Sequence, residues 1–212
     1  MIRTLSPLLF PLSLWMSVCF AATSAHAGKY NTVLDIGDSA PAWNALPGTD
    51  GRKHSLESLA DSKVVVVVFT CNSCPYAVDA EQRINGLVDR YQGKSVAVVA
   101  INVNKVDEDR LPAMKQRAEE QGLKYAYLWD ESQQIAKDYG AKYTPEFFVL
   151  DDERKVVYMG AMDDSPAGDE VTKTYVIDAV DAALSGNPVA VTETIPIGCR
   201  IRIERQRRKS SR

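Results

Sequence analysis

Val64-Val65-Val66-Val67-Val68-Phe69-Thr70-Cys71-Asn72-Ser73-Cys74-Pro75-Tyr76 is the stretch from which the architecture can be read. Six apolar, mostly β-branched residues read as a strand buried on both faces, as in a parallel sheet covered by helices. Tyr76 to Tyr91 carries a helical pattern, so the two thiols stand between a core strand and the first turn of a helix. Cysteines at this spacing bridge after a small adjustment, and the unpaired N–H groups and positive dipole end of a helix favour a thiolate. Cys71 is therefore the candidate nucleophile and Cys74 its partner. A purely structural bridge is the weaker reading, because closing so short a loop removes little chain entropy.

Outward from this stretch the pattern alternates. Asn44 to Arg52 contains the turn signals Pro47-Gly48 and Asp50-Gly51, predicting a β-hairpin that leads into a brief helix over Ser55 to Ala60. Cys74 to Tyr91 is the predicted crossover helix and Val96 to Val103 a second strand of parallel character. Asp107 to Gln121 reads as a helix stopped by Gly122, Tyr125 to Trp129 as a strand, and Ser132 to Tyr139 as a short helix ended by Gly140. Phe147 to Leu150 and Val156 to Met159 flank the turn Asp151 to Arg154 as antiparallel partners, and Thr172 to Leu184 closes the domain as a helix before Gly186 and Pro188. The order predicts an α/β protein built on one mixed sheet.

The N-terminus reads as a leader. Arg3 is a short basic segment, Leu8 to Phe20 is apolar but proline-interrupted and too short to span a bilayer, and Ala25-His26-Ala27 fits a cleavage site. This predicts a signal peptide over 1–27 and an exported protein, periplasmic or extracellular, with one domain over 28–192 and a tail over 193–212. Removing the leader also removes Cys19 and leaves Cys71, Cys74 and Cys199, an odd count for an oxidising compartment. Residues 200–212 hold seven Lys/Arg against Glu204, a net of +6, whereas 28–199 carry a net of −10. Such a run is a solvated end or a contact for anionic lipid, a cell surface or an acidic partner; an exported acidic body is a poor nucleic-acid binder.

Strand, CxxC, helix, strand, helix and then Thr144-Pro145 before a strand is an order that resembles the thioredoxin superfamily, over about residues 35 to 185. Ile36-Gly37-Asp38-Ser39-Ala40-Pro41 followed by Leu46-Pro47-Gly48-Thr49-Asp50-Gly51 resembles the entry of its redoxin branch. That branch contains the alkyl hydroperoxide reductase/thiol-specific antioxidant proteins and exported thioredoxin-like reductases. Phe69 to Tyr76, Tyr143 to Phe148 and Ile197-Gly198-Cys199-Arg200-Ile201 look like a bacterial group known only as thioredoxin family proteins. The resemblance implies a thioredoxin-like three-layer α/β/α sandwich with a central mixed sheet and an N-terminal β-hairpin. It further implies thiol-disulfide exchange with protein or small thiol substrates, a membrane or periplasmic electron donor, and Thr144 and Pro145 as a cis-proline loop that holds an incoming chain by its backbone. Thr70 and Val65 stand where thioredoxin itself has a tryptophan and a buried proton-transferring aspartate. Glu81, two helical turns past Cys74 on the same face, is the substitute candidate for proton acceptor.

Two other readings share the fold. A peroxiredoxin-like thiol peroxidase needs Pro-x-x-x-Thr-x-x-Cys, yet Val67 and Cys71 hold those positions relative to Cys74, and Val64 and Val68 relative to Cys71. A copper metallochaperone adds a histidine, and the two histidines are His26 in the leader and His54 in the hairpin; a four-ligand zinc site lacks its fourth ligand. Neither a resident metal nor an organic cofactor is expected beyond the Cys71–Cys74 disulfide. Cys199 is either a packed free thiol or an auxiliary thiol that exchanges with the Cys71–Cys74 pair and protects or regulates it, giving some Cys71–Cys199 linkage, its pKa lowered by Arg200 and Arg202.

Overall fold

The computed structural model describes residues 28–204; the predicted leader and residues 205–212 of the basic run lie outside the described residues. In chain order the elements are strands β1 (Leu46–Pro47), β2 (Lys53–His54) and β3 (Val64–Phe69), helix α1 (Pro75–Arg90), strand β4 (Val96–Asn102), helix α2 (Leu111–Glu120) and strand β5 (Ala126–Trp129). Helix α3 (Gln134–Asp138), strands β6 (Tyr143–Thr144), β7 (Glu146–Leu150) and β8 (Val156–Gly160), helix α4 (Tyr175–Leu184) and strand β9 (Cys199–Arg200) complete the chain. The central sheet has the order β5-β4-β3-β7-β8, with β3 parallel to β4 and antiparallel to β7.

β3 is central and all six of its residues are fully buried, because helices and loops cover both faces of the sheet. Val64, Val66 and Val68 pack with Ile84 and Leu87 of α1 and Val176 and Val180 of α4. Val65, Val67 and Phe69 point the other way, onto Trp43, Leu56, Tyr139 and Phe148. Each such side chain taken out of water contributes about 1.5–3 kcal/mol, which makes this strand the anchor for whatever follows it. The antiparallel pair Leu46↔His54 and Pro47↔Lys53 forms the predicted hairpin, with a short 3-10 turn at Leu56–Leu59 after it.

Two departures from the sequence reading have physical causes. The helix predicted over Asp107 to Gln121 is split into a 3-10 turn at Asp107–Asp109 and α2. Pro112 lacks an N–H and fits only in a first helical turn, so the helix restarts there. The boundary expected at residue 192 falls inside a run of backbone pairing. Met159 N–H donates to Thr192 O (3.0 Å), Thr194 N–H donates to Met159 O (3.1 Å), and β9 pairs with β6. The unpaired backbone edge of Tyr143-Thr144 needs partners, and the C-terminal arm supplies them, carrying the folded body to Glu204.

Candidate redox site

β3 ends at Phe69, and the Thr70 N–H donates to Ile101 O (3.1 Å), so the chain leaves the sheet in register with β4. Pro75 opens α1, which makes Cys74 its N-cap. Cys71 and Cys74 are free thiols, 2% and 1% exposed, packed with Ala77. Facing them is Thr144, whose peptide bond to Pro145 is cis. The Thr144 Oγ1 lies 3.3 Å from Cys71 Sγ, and Cys74 Sγ lies 3.0 Å from the Thr144 carbonyl oxygen.

A buried carboxylate does sit beside the motif, and it is Asp109. Its Oδ1 accepts from the backbone N–H of Asn72 (2.6 Å) and Ser73 (3.1 Å), and its Oδ2 from the Ser73 hydroxyl (2.6 Å). Asn102 and Asn104 donate to the same carboxylate. Donors therefore meet both oxygens of this buried carboxylate. Asn72 is held further by Tyr127, whose hydroxyl donates to Asn72 Oδ1 (2.9 Å).

Glu81 does not serve the cysteines. Arg117 grips it with two bonds, Nε to Oε1 (2.5 Å) and Nη2 to Oε2 (2.9 Å), which staples α1 to α2. The same-face spacing from Cys74 is real, but a bidentate ion pair claims both oxygens. Nothing in the sequence marks Asp109 as its replacement; it lies 35 residues beyond Cys74, in a polar run that reads as helix surface.

The proton of the pair has two competing positions. On Cys74 it donates to the Thr144 carbonyl. On Cys71 it donates to the Cys74 sulfur, and that bond pulls Cys74 down to about 4; burial opposes the shift, and the Cys199 thiol, the Ala77 N–H and the Thr144 hydroxyl add to it. The same Cys71–Cys74 bond pushes Cys71 up, reinforced by burial and by the Asp109 charge. The second position wins, because several donors outweigh one carbonyl acceptor and a charge on Cys71 would face Asp109. This reverses the expectation that the helix end favours a thiolate at Cys71. The Asn72 and Ser73 amides are spent on Asp109, and the helix begins after Cys74.

Cys199 is half-buried and packs against the cluster formed by Cys71, Cys74 and Ala77. β9 brings it there, pairing antiparallel with β6 in the register Thr144↔Cys199. Burial and Cys74 push its thiol up to about 11, against the lowering expected from Arg200 and Arg202; Arg202 does lower it, as the smallest contribution. Among the described residues no group of three or more His, Cys, Asp or Glu is arranged to hold a metal ion.

A five-stranded mixed sheet, a dithiol between its central strand and the next helix, and a Thr-cis-Pro turn opposite define a thioredoxin-fold protein of the redoxin type. The AhpC/TSA family profile matches residues 36–159, and the chain belongs to that family. It is similar to a hypothetical protein of Sinorhizobium meliloti 1021, at 36% identity and a TM-score of 0.75, covering 81% of this chain and 96% of that one. An uncharacterized conserved protein of Geobacillus kaustophilus is 35% identical, with a TM-score of 0.77 over 84% and 96% of the two chains. The thiol-disulfide oxidoreductase ResA of Geobacillus thermodenitrificans is 30% identical over 125 residues, 59% of this chain and 68% of its own.

Proposed function

We propose that the protein is an exported thiol-disulfide oxidoreductase in which Cys71 and Cys74 are the exchanging pair. The observation that carries this reading is the geometry of two buried free thiols at the start of α1, facing the Thr144–cis-Pro145 turn with Thr144 Oγ1 3.3 Å from Cys71 Sγ. Cys71 loses its proton to solvent as it attacks a substrate disulfide, and Glu81, held by Arg117, takes no part. The first substrate sulfur leaves and is protonated, and the substrate is held by a mixed disulfide to Cys71. Cys74, as the thiolate, attacks the Cys71 sulfur and releases the second substrate sulfur, which is protonated, so two cysteines are oxidised for one disulfide reduced.

Thr144 and Pro145 are the substrate-binding turn in this reading, since they face both sulfurs, and a substrate strand reaching the Thr144 backbone takes the place that β9 holds. The relatives named thiol-disulfide oxidoreductase support protein thiols or disulfides as substrates. The leader-like residues 1–27 support export, and reduction would then draw on a membrane or periplasmic dithiol donor. The test is dithiol-dependent reduction of insulin by the purified protein. Cys71→Ser abolishes it, and Cys74→Ser accumulates mixed disulfides at Cys71. Undiminished reduction by the Cys71→Ser protein would sink the assignment.

A further inference from the structure

We propose that Cys199 is a third redox-active thiol, presented to the dithiol by a C-terminal strand that lies where a substrate strand would lie. The proposal rests on the thiol-disulfide reading of Cys71 and Cys74 and adds a residue and a reaction to it. Three independent features carry it. The first is register: β9 runs antiparallel to β6 with Cys199 opposite Thr144, on the edge that ends at the cis bond. The second is a close approach of two backbones. A Cβ built on Gly198 would collide with the Thr144 carbonyl oxygen, so glycine is what allows the strand to come near enough for Cys199 to reach the sulfurs.

The third feature is anchoring on the far side of Cys199. The Ile201 N–H donates to Lys142 O (2.9 Å) and its side chain is buried in the core. The Arg202 N–H donates to Asn104 Oδ1 (3.2 Å), Gln133 Nε2 donates to Arg202 O (2.9 Å), and the Glu204 N–H donates to Gln133 Oε1 (2.8 Å). Gln133 is a buried side chain and Asn104 a buried amide, so the arm sits in a prepared track. Asn104 also donates to Asp109, which links that track to the carboxylate beneath the CxxC turn.

The reaction is an internal exchange. With Cys71 and Cys74 joined, the Cys199 sulfur attacks Cys74, the sulfur it packs against. A Cys74–Cys199 bond forms as the Cys71–Cys74 bond breaks, and the electron pair leaves on Cys71. The proton lost by Cys199 is matched by the one Cys71 takes up. No oxidant or reductant is consumed, because one disulfide replaces another. The product fastens the arm over the site and leaves Cys71 as a single thiol; attack by Cys71 on Cys74 reverses it. The partner of Cys199 is thus Cys74, where the sequence pointed to Cys71.

Residues 28–212 are oxidised with diamide, quenched in acid, alkylated, and mapped by tandem mass spectrometry of unreduced peptides. The expected result is a Cys74–Cys199 link alongside Cys71–Cys74 in the wild type. In Cys71→Ser the Cys74–Cys199 link becomes the dominant disulfide and forms within tenfold of the rate at which the wild-type pair closes. Complete alkylation of Cys199 in the oxidised wild type overturns the proposal, whether or not the variant folds. Insulin reduction without any Cys74–Cys199 link refutes the third thiol and keeps the proposed function; the link without insulin reduction does the reverse.

Discussion

Cys74 is the sulfur whose pKa its surroundings lower, the Cys71 thiol first and the Cys199 thiol after it, against the opposing effect of burial. Its pKa of about 4 predicts that the reduced protein keeps thiolate ultraviolet absorbance from neutral pH down to roughly that value, and loses it in Cys74→Ser. Absorbance that vanishes below pH 7 would place the charge elsewhere. The sign for stability follows from the same shift. A depressed thiol adds stability that is fully present above the ordinary thiol range and is lost as pH falls through about 4, while the raised Cys71 thiol works in the opposite direction as pH rises. At this scale the sequence was half legible. Two sulfurs at a strand-helix junction have a local signature, whereas Asp109 reaches them through a fold contact that leaves no spacing to read.

β9 is two residues long, and its hold on β6 depends on how close Gly198 lets it come. Gly198→Val should push the strand off Thr144 and raise the alkylation rates of Cys71 and Cys74 at least tenfold at unchanged near-ultraviolet dichroism, measured by timed trapping with iodoacetamide. Unchanged rates would mean that the arm does not shield the sulfurs. β3, β4, α1 and the β7-β8 pair were all readable, because continuous apolar runs and helical periodicity follow directly from burial on two faces or one. β6 and β9 were not. A two-residue strand has no period, and the pairing of Tyr143 with Arg200 joins segments far apart in the chain. The docking of the arm beyond residue 192 was not readable for the same reason, since its partners include the Met159 backbone and the Gln133 and Asn104 side chains.

The molecule as a whole is a sheet with an apolar layer on each face and its reactive sulfurs at one end of the central strand. Membership of the AhpC/TSA family raises peroxide as a substrate, and the surroundings of the sulfurs argue against fast turnover. The hydroxyls near Cys71 are Thr144, at 3.3 Å, and Ser73, at 3.8 Å, and the Ser73 hydroxyl already donates to Asp109. Hydrogen peroxide consumption should therefore proceed at about the rate of an ordinary thiolate of similar pKa, followed with a peroxide electrode; saturable turnover several orders of magnitude faster would make the protein a peroxidase.

The position of the arm at the end of the chain also sets an order in time. Cys71 and Cys74 emerge from the ribosome about 125 residues ahead of Cys199, on the order of ten seconds at ordinary rates of synthesis. Through that interval the nascent chain carries two neighbouring sulfurs without the arm that packs against them. The first disulfide whose two partners both exist in the growing polypeptide is the local one, and Cys199 is the last of the three sulfurs to be made.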